Sequence, residues 1–210
     1  VQLGLSCMEA IYDVGGHLDV AFTLHDDLSI NKSGRVWIND FCSQKSIPLI
    51  KVTHINDQDF IDALSNFSLD ILFVIGWSQI ACSQVISLPR FGVLGMHPTL
   101  LPEGRGRASI PWAIIKGLSC TGVTLFKLDD GVDTGPIISQ RKILIREDMS
   151  QKELIIKTKK IGMELLVECV EKIKIVKIKY IPNSKNHGTY FSFPTKDDVK
   201  IFLKNGKKFF

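Results

Sequence analysis

Long apolar runs are what this 210-residue chain lacks most plainly: no stretch approaches the roughly 20 residues that a membrane-spanning helix needs, so a bundle of membrane helices is excluded. The first residues also lack the basic, apolar and small-residue succession of a secretory signal, and a cytoplasmic location is expected. Cysteine is sparse. The five cysteines, Cys7, Cys42, Cys82, Cys120 and Cys169, lie far apart with no C-x-x-C pair. That spacing argues against a zinc knuckle and against a disulfide framework, and buried free thiols are the expectation. No G-x-G-x-x-G follows a strand, which sets a dinucleotide site aside, and neither an internal repeat nor a low-complexity segment is present.

What is there suits one domain, or one domain with an appendage, because a hydrophobic fraction of 45% is ample for a sizeable core. The net charge of +4 conceals an asymmetry: residues 151–210 hold 14 Lys against 6 Asp or Glu, so the first 150 residues are net acidic. A basic tail of this kind fits phosphates of a nucleotide-linked substrate, a membrane surface or RNA, and it fits equally well a solvated helix face.

Helical and extended segments alternate along the chain. Val1 to Asp13 has Leu5, Met8 and Ile11 near helical spacing and stops at Gly15-Gly16. Extended runs follow at Leu18 to Leu24, Ile47 to Val52, Asp70 to Gly76 and Gly92 to Met96. Between them lie helical stretches at Ile38 to Gln44, Asp57 to Asn66 with Asp57 as its expected cap, and Ser83 to Ser87. The uninterrupted Ile71-Leu72-Phe73-Val74-Ile75 reads as a strand covered on both faces. Ile110 to Ile115 is helical, and Val123 to Leu128 and Ile137 to Ile145 are extended on either side of an aspartate-rich loop. Such alternation implies an α/β fold with a doubly wound, mostly parallel sheet, whose ligands gather at the carboxyl ends of strands. This architecture usually opens on a strand and the chain opens on a helix, so the opening strand is expected to be missing. Residues 1–145 are read as the catalytic domain. Residues 146–210 are read as a helix, with Ser150 and Glu153 as its capping box, followed by an aromatic and basic tail. Leu154, Ile155, Ile161, Leu165, Leu166, Cys169, Val170 and Ile173 form the stripe that helix would bury.

The densest chemistry lies between Gly92 and Gln140. His97 sits just past a strand end within Gly95-Met96-His97-Pro98-Thr99-Leu100-Leu101-Pro102. Arg105-Gly106-Arg107 and Thr121-Gly122-Val123-Thr124 come next, then Asp129-Asp130-Gly131-Val132-Asp133-Thr134-Gly135. Taken singly, His97 reads as a hydrogen-bonded core histidine and Asp133 as a turn residue beside glycine. The stretch is site-like, and the residue types suit proton transfer, since imidazole carries protons near neutrality and a carboxylate can hold one ring nitrogen and fix its tautomer. Neither role needs a metal.

The order His97, Thr99-Leu100-Leu101-Pro102, Arg105-Gly106, Thr121-Gly122-Val123-Thr124, Asp133-Thr134-Gly135 resembles the core of the formyltransferases that use 10-formyltetrahydrofolate. That family includes methionyl-tRNA, glycinamide ribonucleotide and sugar N-formyltransferases. The resemblance implies 10-formyltetrahydrofolate as formyl donor and His97 and Asp133 as the catalytic pair. It further implies folate contacts from Gln79, Ile80, Ala81, Arg107, Asp129, Asp130, Gly131 and Val132. Trp77 reads equally as a core aromatic. One position departs: Gly95 stands where the family has an asparagine aimed at the formyl oxygen, and loss of one oxyanion donor typically costs on the order of a hundredfold to a thousandfold in turnover. Glycine at that point leaves three readings open: a main-chain amide or water in the role, protonated His97 in it, or a weakly active or non-catalytic folate-binding protein.

For the acceptor, Arg105-Gly106-Arg107 and Thr189-Tyr190-Phe191 are most similar to the sugar enzymes, so a nucleotide-linked amino sugar of polysaccharide biosynthesis is the first expectation. Methionyl-tRNA is the alternative. The short segment after the core leaves little for an RNA-binding fold, and a nucleic-acid partner is not expected. His25, Asp26, Asp27, Asn31, Lys32 and Ser33 are either a sugar or diphosphate site or a plain solvated loop. A homodimer is compatible with the sequence.

Overall fold

Gly15 and Gly16 end the first helix, α1 (Gln2–Asp13), in the computed structural model of the protein. Gly15 takes a φ of 71°, and the amides of Gly15 and Gly16 reach Tyr12 O at 3.0 Å and Ile11 O at 2.8 Å. This left-handed closure is one that glycine adopts without steric cost. The structure describes residues 2–30, 35–174 and 178–204, which fall into two units, Val1–Gly95 and Met96–Phe210.

In the first unit the helix is followed by β1 (Ala21–Leu24), α2 (Asp26–Ser29), α3 (Asn39–Gln44), β2 (Leu49–Val52), α4 (Gln58–Ser65), β3 (Leu72–Val74) and α5 (Ser83–Ser87). Strand β4 (Val93–His97) begins in this unit and carries the chain into the second. β1 pairs parallel with β2, setting Ala21 opposite Leu49, and β3 pairs parallel with β4, setting Val74 opposite Gly95. The α/β class and the parallel pairing expected from the alternation are therefore present. Ala21, Cys42 and Ile47 form one buried cluster with Met8, Tyr12, Leu18 and Phe41 packed on it. Helix α4 buries Phe60, Ile61 and Leu64, one face at helical spacing, and the Phe60 ring lies 4.7 Å from that of Phe22.

Two expectations are corrected here. All three residues of β3 are only half-buried, so the apolar run around it is not covered on both faces. Asp57 occupies the cap position of α4 with extended backbone, but its side chain makes no capping hydrogen bond. Asn31, Lys32 and Ser33 lie outside the described residues.

The second unit adds β5 (Arg105–Gly106), α6 (Ser109–Ile115), β6 (Cys120–Lys127), β7 (Ile137–Leu144), α7 (Gln151–Lys174), β8 (Tyr190–Phe191) and α8 (Lys196–Lys204). β6 and β7 pair antiparallel, Cys120 opposite Leu144, and α7 packs across both of them and α6. The capping box is formed: Ser150 Oγ accepts from Glu153 N at 3.2 Å and Glu153 Oε2 accepts from Ser150 N at 2.9 Å. Hydrogen bonds from the Ser150 backbone and hydroxyl hold the Glu153 carboxyl below its ordinary range. Leu154, Leu165, Leu166 and Cys169 are buried as expected, but Ile155 is 45% exposed. One residue on from Leu154, it stands about 100° around the helix and misses the buried face. Among the described residues no helix is long and apolar enough to cross a membrane.

The aromatic and basic tail holds two elements, β8 and α8. β8 pairs parallel with β5, Tyr190 opposite Arg105 and Phe191 opposite Gly106. Before α8, Thr195 and Asp198 form a second capping box, with Asp198 Oδ2 accepting from Thr195 N at 2.7 Å and Thr195 Oγ1 from Asp198 N at 3.2 Å. The Thr-x-x-Asp spacing was the signal for that helix start.

The motif threonines of β6 tie the segment after β4 to the sheet. Thr124, 0% exposed, donates to Thr99 O at 2.7 Å and accepts from Leu101 N at 3.2 Å and Gln140 Nε2 at 2.9 Å. Replacing it by the near-isosteric valine strands those partners in the interior. Thr124→Val is expected to cost about 2 kcal/mol, read as a lowered urea midpoint at unchanged slope. Burial pushes the Cys7 thiol up to about 12 and, against a small opposing effect of Lys172, that of Cys169 to about 11. Burial raises Cys42 as well. Iodoacetamide at pH 8 is expected to label the half-buried Cys82 and Cys120 of the folded protein before Cys7, Cys42 and Cys169, with all five modified once it is unfolded, as counted by peptide mass spectrometry.

Candidate active site

His97, 7% exposed at the end of β4, is held from both sides of its ring. Nδ1 lies 3.5 Å from Asp133 Oδ2, and Nε2 lies 2.8 Å from Gly104 O with Ser109 Oγ at 3.3 Å. A carbonyl oxygen only accepts, so Nε2 carries a proton and donates it to Gly104 O. The two residues singled out as a catalytic pair therefore do meet, although 36 positions separate them in the chain. Ser109, at the start of α6, was missed: a serine opening a short helix carries no sequence signal of a histidine beside it.

Asp133 has a φ of 53°, left-handed backbone that residues with a Cβ rarely adopt. Three contacts hold it there. Its Oδ2 accepts from Gly106 N at 2.8 Å, and its carbonyl accepts from Arg105 Nε at 3.0 Å and Asn183 Nδ2 at 2.9 Å. The approach of Gly106 depends on glycine: its φ is 96°, and a Cβ there would strike Phe191 O and lie 2.9 Å from the Tyr190 ring. β5 thus pairs closely with β8 while presenting its amide to Asp133.

Arg105, 7% exposed, also donates to His187 O at 3.2 Å, Asn183 Oδ1 at 2.9 Å and Ser184 O at 2.7 Å. All four of these acceptors, Asp133 O included, are neutral oxygens. The planar guanidinium satisfies them by geometry, spanning directions that a lysine ammonium cannot.

The loop carrying Asp133 is tied at its other end. Asp129 accepts from Thr134 Oγ1 at 2.6 Å and Gly131 N at 3.1 Å, and pairs with Lys185 Nζ at 2.8 Å. Burial alone would raise the Asp129 carboxyl, but the hydrogen bonds from Lys185, Thr134 and Gly131 and the lysine charge outweigh it and hold it below its ordinary range. Of the expected folate contacts in this unit, Asp130 and Gly131 are exposed and Val132 is half-buried. Arg107 is exposed, its guanidinium 5.1 Å from the centre of the Phe193 ring and its amide donating to Phe191 O at 2.8 Å.

Gln79, Ile80 and Ala81 belong to the first unit. The Gln79 carboxamide ties its loop to the segment after β2, accepting from Ile55 N at 2.9 Å and Trp77 Nε1 at 3.0 Å and donating to Thr53 O at 3.1 Å. Ile80 is exposed with its carbonyl on Asn56 Nδ2, and Ala81 is buried. Trp77, half-buried, serves that loop through its indole hydrogen bond.

Residues 36–170 match the family model described as formyl transferase, well over half of the chain. The chain belongs to the formyl transferase family. Curated relatives include the methionyl-tRNA formyltransferase of Thermodesulfovibrio yellowstonii, 33% identical over 165 residues that cover 79% of this chain and 53% of the relative. That of Kosmotoga olearia is 33% identical over 174 residues, 82% of this chain and 56% of the relative. The chain thus spans about half the length of these relatives. Solved structures of the same fold include glycinamide ribonucleotide transformylase 1 from Symbiobacterium toebii, with a TM-score of 0.71 and 17% identity, covering 84% of this chain and 89% of that one. A second is the N-formyltransferase of Helicobacter canadensis in complex with folinic acid and dTDP-3-aminofucose, with a TM-score of 0.67 and 19% identity, covering 93% of this chain and 68% of that one.

Replacing Arg105 tests its geometry directly. Arg105→Lys keeps the charge but leaves most of the four acceptors without their donor, Asn183 Oδ1 among them in the interior. Stability is expected to fall by about 3 kcal/mol, with faster proteolytic cleavage within residues 183–193 than in the parent protein.

Proposed function

We propose that the protein transfers a formyl group from 10-formyltetrahydrofolate to a primary amine, with a nucleotide-linked amino sugar as acceptor. The observation that carries this reading is the approach of His97 Nδ1 to Asp133 Oδ2 at 3.5 Å, in a member of the formyl transferase family. Acylation of an amine requires a group that removes its proton, and a buried imidazole oriented by a carboxylate is suited to that. Asp133 holds the ring, and His97 carries the proton. To take the amine's proton, Nε2 has to leave the Gly104 carbonyl and present its lone pair, with Nδ1–H turned to Asp133 Oδ2.

The residues present fit a pterin-bearing donor. Asp130 and Gly131 are exposed residues on the loop beside Asp133, and Arg107 is exposed as well. When bound, the donor supplies an activated formyl carbonyl. Gln79, Ile80, Ala81, Arg107, Asp129, Asp130, Gly131 and Val132 are the contacts assigned to it in this reading. Asp129 and Gln79 act through the shape of their loops, since their side chains are already engaged there. Gly95 brings no side-chain amide to the formyl oxygen, which leaves that task to a main-chain amide, a water or His97. Residues 1–145 form the catalytic domain in this assignment, and residues 146–210 contribute the covering helix and the tail.

Support for a sugar acceptor comes from the two segments on which that resemblance rests. Arg105-Gly106 and Tyr190-Phe191 are hydrogen-bonded neighbours, so the tail borders the loop that holds Asp133. A second reading, methionyl-tRNA as acceptor, is favoured by the identity of the curated relatives. One assay separates them: incubation with formyl donor and either amino sugar nucleotides or charged initiator tRNA. A gain of about 28 daltons on a sugar nucleotide, hydrogen replaced by formyl as acyl transfer requires, supports the first reading. Formylation of the tRNA alone, weakening steeply with salt, supports the second. With whichever acceptor reacts, His97→Ala and Asp133→Asn are expected to lose about a hundredfold or more in kcat. Gly95→Asn is expected to match or exceed the parent. Undiminished turnover in both site variants overturns the assignment.

A further inference from the structure

The geometry points to Asn183 as the residue that positions Asp133, and through it His97, an inference that rests on the proposed use of this pair in proton transfer. Asn183 lies in the tail, 50 residues beyond Asp133, and is 7% exposed. Its carboxamide is committed on both sides: Nδ2 donates to Asp133 O and to Gly135 O, each at 2.9 Å, and Oδ1 accepts from Arg105 Nη2 at 2.9 Å. Both amide hydrogens and one acceptor site thus go to three residues on two different segments, which leaves the group a single orientation.

What that orientation secures is the unusual backbone of Asp133. Left-handed backbone is uncommon at a residue with a Cβ, and although aspartate adopts it more readily than most, here it is held by hydrogen bonds to its own carbonyl and carboxylate. Asn183 grips the carbonyls at Asp133 and Gly135, while Lys185, two residues along the same tail, holds the far end of the loop through Asp129. Rotation of the Asp133 peptide into ordinary backbone would swing its carboxylate away from Gly106 N, at 2.8 Å, and from His97 Nδ1. At 3.5 Å the carboxylate–imidazole approach has no margin to spare. Asn183 is therefore a positioning residue: it touches neither ring nor acceptor, and it acts through Asp133.

Asn183→Asp separates this role from mere packing. Aspartate keeps the shape and the contact with Arg105, but sets a carboxylate oxygen against two carbonyls in place of the NH2. In protein labelled with 15N-histidine, ring 15N–1H spectra report the protonation of each ring nitrogen, with His97 assigned from the His97→Gln spectrum. Asn183→Asp is expected to shift the His97 ring resonances while those of His17, His25 and His54 stay in place. kcat is expected to fall about 10–100-fold, with the dissociation constant of the formyl donor changed less than about twofold. Unmoved His97 resonances in the folded variant overturn the inference. Should Asn183→Asp not fold, Asn183→Ser, which removes the reach with less repulsion, is read the same way. The parent protein gives an independent check: the Asn183 carboxamide hydrogens are expected to exchange slowly with solvent, and fast exchange overturns the inference whatever the variants do. If no acceptor is formylled by the parent protein, the functional reading fails, whereas the histidine spectra still decide whether Asn183 sets Asp133.

Discussion

Arg105 is a buried cation whose four acceptors are neutral oxygens, and the local structure of the second unit is organised around satisfying it. A guanidinium taken out of water is costly unless its donors are matched, and here they are matched by Asp133, Asn183, Ser184 and His187. Three of these belong to the tail. The same side chain therefore fixes the Asp133 loop and fastens a segment some eighty residues downstream. Gly106 adds to this by letting the backbone of β5 pass against β8 while its amide reaches the Asp133 carboxylate.

The candidate site shows how a loop of turn-forming residues is held in one conformation. Asp129 binds the loop to itself and to Lys185, Asn183 holds the carbonyls near its other end, and Gly106 holds the carboxylate. On the other side, Thr121 and Thr124 of β6 hold the carbonyls of Pro98 and Thr99, next to His97. The histidine comes from the end of a strand and the aspartate from a loop, and each is braced by side chains that do no chemistry. Functional geometry held to fractions of an ångström depends on such support. Ser109 and the Gly104 carbonyl complete the contacts of the imidazole at Nε2.

Much of the architecture was legible in the chain because it follows local rules. Hydrophobic spacing marked α1 and α7, the Gly15-Gly16 stop ended α1, and Ser150 with Glu153 marked the start of α7. The reading failed where local pattern and tertiary setting diverge. An apolar run around β3 signals burial, yet that strand is only half-covered, and Ile155 lies one position off the buried face of α7. In the tail, Thr195-x-x-Asp198 was readable as a helix start, but Tyr190-Phe191 is a strand only because β5 offers it an edge.

Sequence by itself determined the residue types and the spacing of His97, Arg105-Gly106, Thr121-Gly122-Val123-Thr124 and Asp133, and with them the family. It determined also that Gly95 contributes no side-chain amide, since a missing group is visible without any fold. Only the tertiary structure decided that Asn183, Lys185 and Ser109 belong with these residues, that Asp133 takes left-handed backbone, and that Nε2 of His97 is turned to a main-chain carbonyl. The reason is physical: hydrogen bonds between distant segments leave no periodicity or spacing in the chain, and a buried donor finds its acceptor only once the backbone has brought the two together.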